Sequence, residues 1–165
     1  MRSYETKLPT LDALLKVREQ FRRDKRVLVF TNGCFDILHT GHVDYLAFAR
    51  NQGDALVVGL NSDASVRRLK GAPRPLVTQD DRARMLAALE AVDYVVLFDE
   101  DDPHRLIKTL APDVLVKGQD YAPDQVVGHE LVEATGGRVV LAPLAVGRST
   151  TNLVNRIIAS YTGPA

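Results

Sequence analysis

The sequence predicts an α/β fold: a doubly wound, mostly parallel sheet of five strands with helices on both faces. Three observations predict it. Short apolar, β-branched runs recur along the chain, amphipathic helical segments separate them, and the most chemically informative residues fall directly after the runs. Ligands of such sheets bind outside the carboxyl ends of the strands.

Thr10 to Arg22 reads as a helix whose Leu11, Leu14, Leu15, Val17 and Phe21 make an apolar stripe. Arg26 to Thr31 is a first strand, and Val43 to Asn51 is helical, with Tyr45, Leu46, Phe48 and Ala49 suitably spaced. Ala55 to Leu60, Tyr94 to Phe98, Val114 to Val116 and Arg138 to Leu141 read as further strands. Helices are expected over Thr78 to Leu89, where Thr78 and Asp81 resemble a capping pair, and over Pro103 to Leu110, where the proline suits a first turn. Two more are expected over Ala122 to Thr135 and Ser149 to Tyr161. After the second strand, Asn61-Ser62-Asp63 leads into a cationic turn, Arg67-Arg68-Leu69-Lys70-Gly71. No repeat, low-complexity tract or linker interrupts the pattern, so residues 1–165 are read as one domain, with 1–25 as an N-terminal helical extension packed on it.

Lysine plus arginine and aspartate plus glutamate both number 21, a net charge of zero, which predicts neither a nucleic-acid footprint nor attraction to an anionic membrane. Charges at Arg2, Glu5, Lys7 and Asp12 break up the N-terminus, so no secretory signal is expected. No apolar run approaches a membrane span. One cysteine excludes an internal disulfide framework and fits a reducing compartment, the cytoplasm.

The chemistry concentrates in Asn32-Gly33-Cys34-Phe35-Asp36-Ile37-Leu38-His39-Thr40-Gly41-His42, between a strand and a helix. Unpaired N–H groups at a helix start favour an anion, and Gly41 lets a phosphate approach the backbone closely. His39 and His42, three residues apart, present both imidazoles on one side of a turn, where they can donate to phosphate oxygens. Either histidine alone is as readily a cap or a satisfied polar residue. A zinc site built from Cys34, Asp36, His39 and His42 is disfavoured, since no second Cys/His cluster has structural-zinc spacing. Lys117-Gly118-Gln119-Asp120-Tyr121 follows another strand, and Gly147-Arg148-Ser149-Thr150-Thr151 opens the last helix, with Ser149 its expected N-cap and a second anion cradle around it. Lys70, beside Gly71, is a better phosphate contact than Arg67 or Arg68. Neither a P-loop nor a dinucleotide glycine fingerprint occurs.

Gly33-x-Phe35-Asp36-x-x-His39-x-Gly41-His42 with Arg148-Ser149-Thr150-Thr151 resembles the cytidylyltransferase-like nucleotidyltransferase superfamily. Thr31 to Asp36, Gly59 to Asp63, Ser65 to Gly71, Arg74-Pro75, Ala88 to Asp93 and Val116 to Tyr121 are similar, more narrowly, to the adenylyltransferase domain of bifunctional heptose kinase/adenylyltransferases, and the likeness runs from about Leu8 to Ile158. The resemblance implies a Rossmann-like fold and transfer of AMP from ATP, with Mg2+, to D-glycero-β-D-manno-heptose 1-phosphate, giving ADP-heptose for lipopolysaccharide core assembly. It also implies a stand-alone form, supplied by a separate heptose kinase, and a homodimer. His39, His42 and Lys70 would then be catalytic, stabilising charge on the reacting phosphates. Thr31, Asn32, Gly33, Cys34, Phe35, Gly41, Arg82, Lys117, Gly118, Asp120, Tyr121, Arg148, Ser149, Thr150 and Thr151 would bind nucleotide, and Asn61 and Asp63 would face the sugar phosphate. Asp36 would orient its loop, and no carboxylate is singled out as a metal ligand.

Glycerol-phosphate cytidylyltransferases carry Arg-Thr-Glu-Gly where this chain has Leu144-Ala145-Val146-Gly147, which weakens that alternative. A non-catalytic nucleotide-binding module is disfavoured by the intact histidines and Lys70. A fragment of an aminoacyl-tRNA synthetase is disfavoured by short length, neutral charge and the lack of a Lys-Met-Ser-Lys-Ser-like loop.

Overall fold

Leu28–Gly33, the first strand (β1), starts two residues later than the apolar run suggests and continues into the glycine of the histidine motif. It lies at the centre of an all-parallel sheet with β2 (Ala55–Asn61), β3 (Tyr94–Phe98), β4 (Val114–Gly118) and β5 (Arg138–Ala142), in the order β3-β2-β1-β4-β5. The structure, a computed structural model, describes residues 3–120, 122–143 and 149–162. The central strands are buried along most of their length, whereas the edge strands leave Leu97 and Arg138 exposed, as one-sided pairing dictates.

Seven α-helices accompany the strands among the described residues: α1 (Leu11–Arg23), α2 (Thr40–Arg50), α3 (Asp63–Lys70), α4 (Gln79–Ala88), α5 (His104–Leu110), α6 (His129–Ala134) and α7 (Thr150–Thr162). Alternation along the strands separates two cores. Val29, Val58 and Leu60 pack with Leu46 and Ala49 of α2 and Leu86 of α4, while Leu28, Phe30 and Val57 pack with Leu14 and Phe21 of α1, Ile107 of α5 and Val132 of α6. Thr10 caps α1 by accepting from the Ala13 N–H, and Thr78 caps α4 by accepting from that of Asp81, the pairing expected.

Two expectations are corrected. The cationic turn is the last part of a helix, α3, capped by Ser62 and ended by Gly71 at φ +92°. The helix expected over Ala122 to Thr135 is instead a 3-10 turn, Pro123–Gln125, followed by α6. Gly128 stands between them at φ +83°, where a Cβ would lie 2.8 Å from Ile107 Cδ1, so the chain turns there to seat Val126 in the core.

At the opposite, amino-terminal edge, the aspartate before each of three strands accepts a backbone N–H near the start of the neighbouring strand. Asp54 takes Val27 at 2.7 Å, Asp93 takes Leu56 at 2.9 Å and Asp113 takes Leu28 at 2.7 Å. Arg18, buried on α1, clamps Asp113 with both terminal nitrogens at 2.7 Å, tying the first helix to the sheet.

Candidate active site

Strand pairing explains where the site opens. β1 pairs with β2 through six residues, but with β4 only at Val29 with Val114 and Phe30 with Leu115. Past Phe30 the two strands separate, at the point where strand order reverses, and this crevice is where a doubly wound sheet takes its ligands. Two side chains bridge the split. Thr31 Oγ1 donates to Val116 O at 3.0 Å and contacts the Tyr45 hydroxyl at 2.6 Å, and Lys117 Nζ donates to Asn32 Oδ1.

The cleft has two lobes that share Asn32 to Phe35, His42, Lys117, Asp120 and Thr150. The first, about 630 Å3, reaches over β2 and β3 and adds Asn61, Lys70, Arg74 and Thr151. The second, about 390 Å3, leans over β4 and β5 and adds His39, Gly41, Gly118 and Ser149. A larger cavity of about 880 Å3 lies at the amino-terminal edge, lined by Tyr4, Lys7, Arg50 and Asp93. Its cations are engaged, Arg50 with Asp93 at 2.9 Å, Lys7 with Leu89 O at 3.0 Å and Arg26 over the Phe21 ring, whereas the histidine motif and Lys70 line the crevice.

His39 is the residue before α2, and the first helical hydrogen bonds return to its carbonyl from His42 and Val43. The helix therefore begins three residues earlier than its apolar pattern indicates, placing His42 in the first turn. The two rings stack with centroids 3.9 Å apart, and Phe35 packs edge-on against His42 at 5.2 Å. Burial, then the neighbouring His39, push the His42 pKa down to about 4, so at neutral pH the ring is uncharged. Its Nδ1 is buried with no hydrogen-bond partner, which leaves Nε2 as the ring nitrogen able to meet a ligand in the cleft.

The turn before α2 is strained. Phe35 has φ +45°, a left-handed conformation unusual for an aromatic residue. Two anchors hold it. Asp36, almost fully buried, accepts the N–H groups of Leu76 and Val77 at 2.8 and 2.9 Å and pairs with Arg74. Burial alone would raise the Asp36 pKa, but these donors outweigh it and hold the carboxyl below its ordinary range. Asp36 thus fastens the segment after Lys70 to the histidine loop. The second anchor is Arg82, which donates to Cys34 O, to Val77 O at 3.0 Å and to Asp63 Oδ1 at 2.7 Å. Burial pushes the Cys34 thiol up despite the charges of Lys70, Arg82 and Arg74, so it stays protonated and is no nucleophile.

Most of the expected site residues meet in this cleft, and three do not. Arg82 is fully buried and lines neither lobe, because its guanidinium is spent on the loop it supports. Asp63, expected at the sugar phosphate, is held by Arg82 as the first residue of α3. Thr31 is buried between the strands and binds them together. Tyr121, Arg148 and the segment 144–147 lie outside the described residues. Ser149 caps α7 as expected, accepting from Asn152 N at 3.1 Å. Lys70 lines the cleft from the end of α3 and forms no ion pair among the described residues. Lys117 is largely buried, and desolvation lowers its pKa to about 8 against the attraction of Asp120. Among the described residues no group of three acidic, cysteine or histidine side chains is arranged to hold a metal ion. Reasoning from sequence missed Asp101, Asp102 and Val127 in the first lobe and Tyr45 beside the second, since nothing in their local pattern marks them.

A triphosphate beside His42 would raise the pKa of that ring, so binding of Mg-ATP is expected to be coupled to proton uptake between about pH 4 and 6.5. Calorimetry at pH 5.5, in two buffers of different ionisation enthalpy, checks this. Wild type should take up a larger fraction of a proton than His42→Asn, and equal uptake would place the phosphates elsewhere.

A family model described as cytidylyltransferase-like matches residues 30–146. The chain is 58% identical over 158 residues to the bifunctional protein HldE of Syntrophotalea carbinolica, covering 96% of this chain and 32% of that protein. It is 62% identical over 154 residues to the bifunctional protein HldE of Geotalea uraniireducens, covering 93% and 31%. It thus spans about a third of the length of these curated relatives. Among solved structures, the lipopolysaccharide core biosynthesis protein from Thermoplasma volcanium superposes with a TM-score of 0.60 at 28% identity, over 73% of this chain and 97% of that one. Pantoate-beta-alanine ligase from Francisella tularensis, 15% identical with a TM-score of 0.59 over 87% and 68%, shares the fold.

Proposed function

The chain belongs to the cytidylyltransferase-like family, and from that membership we propose that it transfers AMP from ATP to D-glycero-β-D-manno-heptose 1-phosphate, yielding ADP-heptose and pyrophosphate. The observation that carries the reading is the sharing of one crevice by the stacked His39–His42 pair, the start of α2 and Lys70, with a lobe on either side for two phosphorylated reactants. The likeness over nearly the whole chain to proteins named bifunctional protein HldE, together with the motif resemblance, supports heptose as the acceptor.

The mechanism follows from charge. A phosphate monoester has its second pKa near ~6, so the acceptor is mostly dianionic at neutral pH and needs no general base. One of its oxygens bonds to the α-phosphorus of ATP as the bond from that phosphorus to the β-phosphate oxygen breaks in line, and pyrophosphate leaves. His42 donates through Nε2 to the phosphate oxygens where negative charge accumulates, His39 flanks it, and Lys70 reaches the reacting phosphates from α3. Magnesium arrives on the triphosphate as part of the substrate. Asn32 to Phe35 and Gly41 line the phosphate path, and Lys117, Gly118, Asp120 and Ser149 to Thr151 surround the nucleotide. A heptose kinase supplies the sugar 1-phosphate, the enzyme works in the cytoplasm, and it is a homodimer. Among the described residues no helix is long and apolar enough to cross a membrane.

A matrix of ATP and CTP against heptose 1-phosphate, glycerol 3-phosphate and phosphoethanolamine, followed by pyrophosphate release, tests the reading. Turnover is expected only with ATP and the heptose. Faster turnover with CTP, or with glycerol 3-phosphate, would replace it.

A further inference from the structure

The lobe over β2 and β3 carries opposite charges at its two ends. Lys70 and Arg74 line it near Cys34 and His42, whereas Asp101 and Asp102 line it where the chain leaves β3. Only β2 separates β3 from β1. A dianionic phosphate belongs at the cationic end, so the acidic end meets the part of the acceptor farthest from the reacting oxygen.

Two acceptor atoms of the lobe lack a donor among the described residues. Asn61 is only 3% exposed, yet it lines the lobe. Ser65 gives its single hydroxyl proton to Glu100 O at 2.9 Å, so Asn61 Nδ2 must be the donor in its 3.0 Å bond to Ser65 Oγ. That orientation leaves Asn61 Oδ1 without a donor among the described residues, an acceptor open to a ligand or water in the lobe. Asp101 is engaged, accepting from Arg68 Nε at 2.6 Å. Asp102 forms no ion pair among the described residues. Its Oδ1 accepts the His104 N–H at 2.9 Å, which orients the carboxylate and leaves the second oxygen open.

Both open positions accept hydrogen bonds, so the ligand must donate them there, as hydroxyl groups do and as a second phosphate or carboxylate cannot. The lobe also offers the partly exposed Val127 as apolar surface for the C–H face of a sugar ring. A quaternary ammonium head group would call for an aromatic cage, and the sole aromatic ring among the side chains lining the lobe, besides the imidazole of His42, is Phe35, which packs on that imidazole.

We propose that Asp102, together with Asn61, determines acceptor specificity by accepting hydrogen bonds from the hydroxyl groups of a sugar phosphate remote from its phosphate, an inference that rests on the sugar-phosphate reading above. Steady-state kinetics of Asp102→Asn tests it. The amide keeps an oxygen for the His104 N–H but loses the charged acceptor, so KM for heptose 1-phosphate should rise about tenfold. KM for ATP and kcat at saturation should stay within about twofold of wild type, as should KM for glycerol 3-phosphate where that shorter acceptor turns over at all. Asp102→Ser, which also retains an oxygen for the helix start, reads the same quantities should the amide variant fold poorly. An unchanged KM for the heptose in a folded variant, or an equal rise in KM for ATP, overturns the assignment. A wild-type protein that releases no pyrophosphate with any sugar phosphate instead defeats the parent reading, a result distinguishable before any variant is made.

Discussion

Replacement of His42 by alanine is expected to lower turnover about a hundredfold or more, the equivalent of roughly 3 kcal/mol of lost transition-state stabilisation, while the protein still folds. The expectation rests on position and protonation together. His42 stands in the first turn of α2, stacked on His39, lining both lobes, and its lowered pKa makes it a neutral N–H donor at pH 7. A neutral donor can be imitated. His42→Gln places an amide nitrogen near the position of Nε2 and should retain about tenfold more activity than His42→Ala. Stopped-flow or coupled pyrophosphate assays read both variants. Glutamine and alanine variants of equal, near-zero activity would instead assign the ring a cationic role. Stability supplies a control. A group whose folded pKa lies below its unfolded value stabilises fully above about pH 6.5 and loses that contribution as the pH falls toward 4. The alanine variant should accordingly show a flatter melting temperature through this window than wild type.

The largest effect on stability is expected at Arg82. Arg82→Met should cost about 3–5 kcal/mol, because it leaves the Asp63 carboxylate and two loop carbonyls without their donor in the interior. For a domain of this size that is a fall in melting temperature on the order of 10 °C. Arg82→Lys should recover little, since one ammonium cannot span three acceptors that the guanidinium meets from different nitrogens. The loop it holds contains the left-handed Phe35 that buttresses His42, so the variants should also lose turnover at temperatures where they remain folded. Thermal melts followed by assays well below the midpoint check both parts. A melting temperature within about 2 °C of wild type would show that the buried network contributes little.

The alternation of β-branched runs with amphipathic segments was enough to read the sheet and most of its helices, because the central strands are buried on both faces and most helices show an apolar side. α3 escaped notice for a physical reason. From Asp63 to Lys70 its only large apolar residues are Val66 and Leu69, too few to produce a period. Its end signals were nonetheless present: Ser62 as cap, Asp63 in the first turn and three cations in the last. The break at Gly128 was invisible for the opposite reason, since what excludes a side chain there is Ile107, twenty-one residues away in sequence. The start of α2 was misjudged because His39, Thr40 and Gly41 carry no apolar pattern.

That the histidine pair and Lys70 line the cleft, and that Ser149 caps a helix, was legible in residue order because the features are local: spacing on one helical turn, a charge beside a glycine, a hydroxyl before a helix. Arg82, Asp63 and Thr31 show the limit of that reasoning, being of the right type in the right segments but turned inward. Their hydrogen bonds join positions from 5 to 85 residues apart. Asp102 and the open oxygen of Asn61 belong to the same class. Whether a polar side chain binds a ligand or braces the protein depends on which distant atoms consume its hydrogen-bonding capacity, and folding alone brings those atoms together.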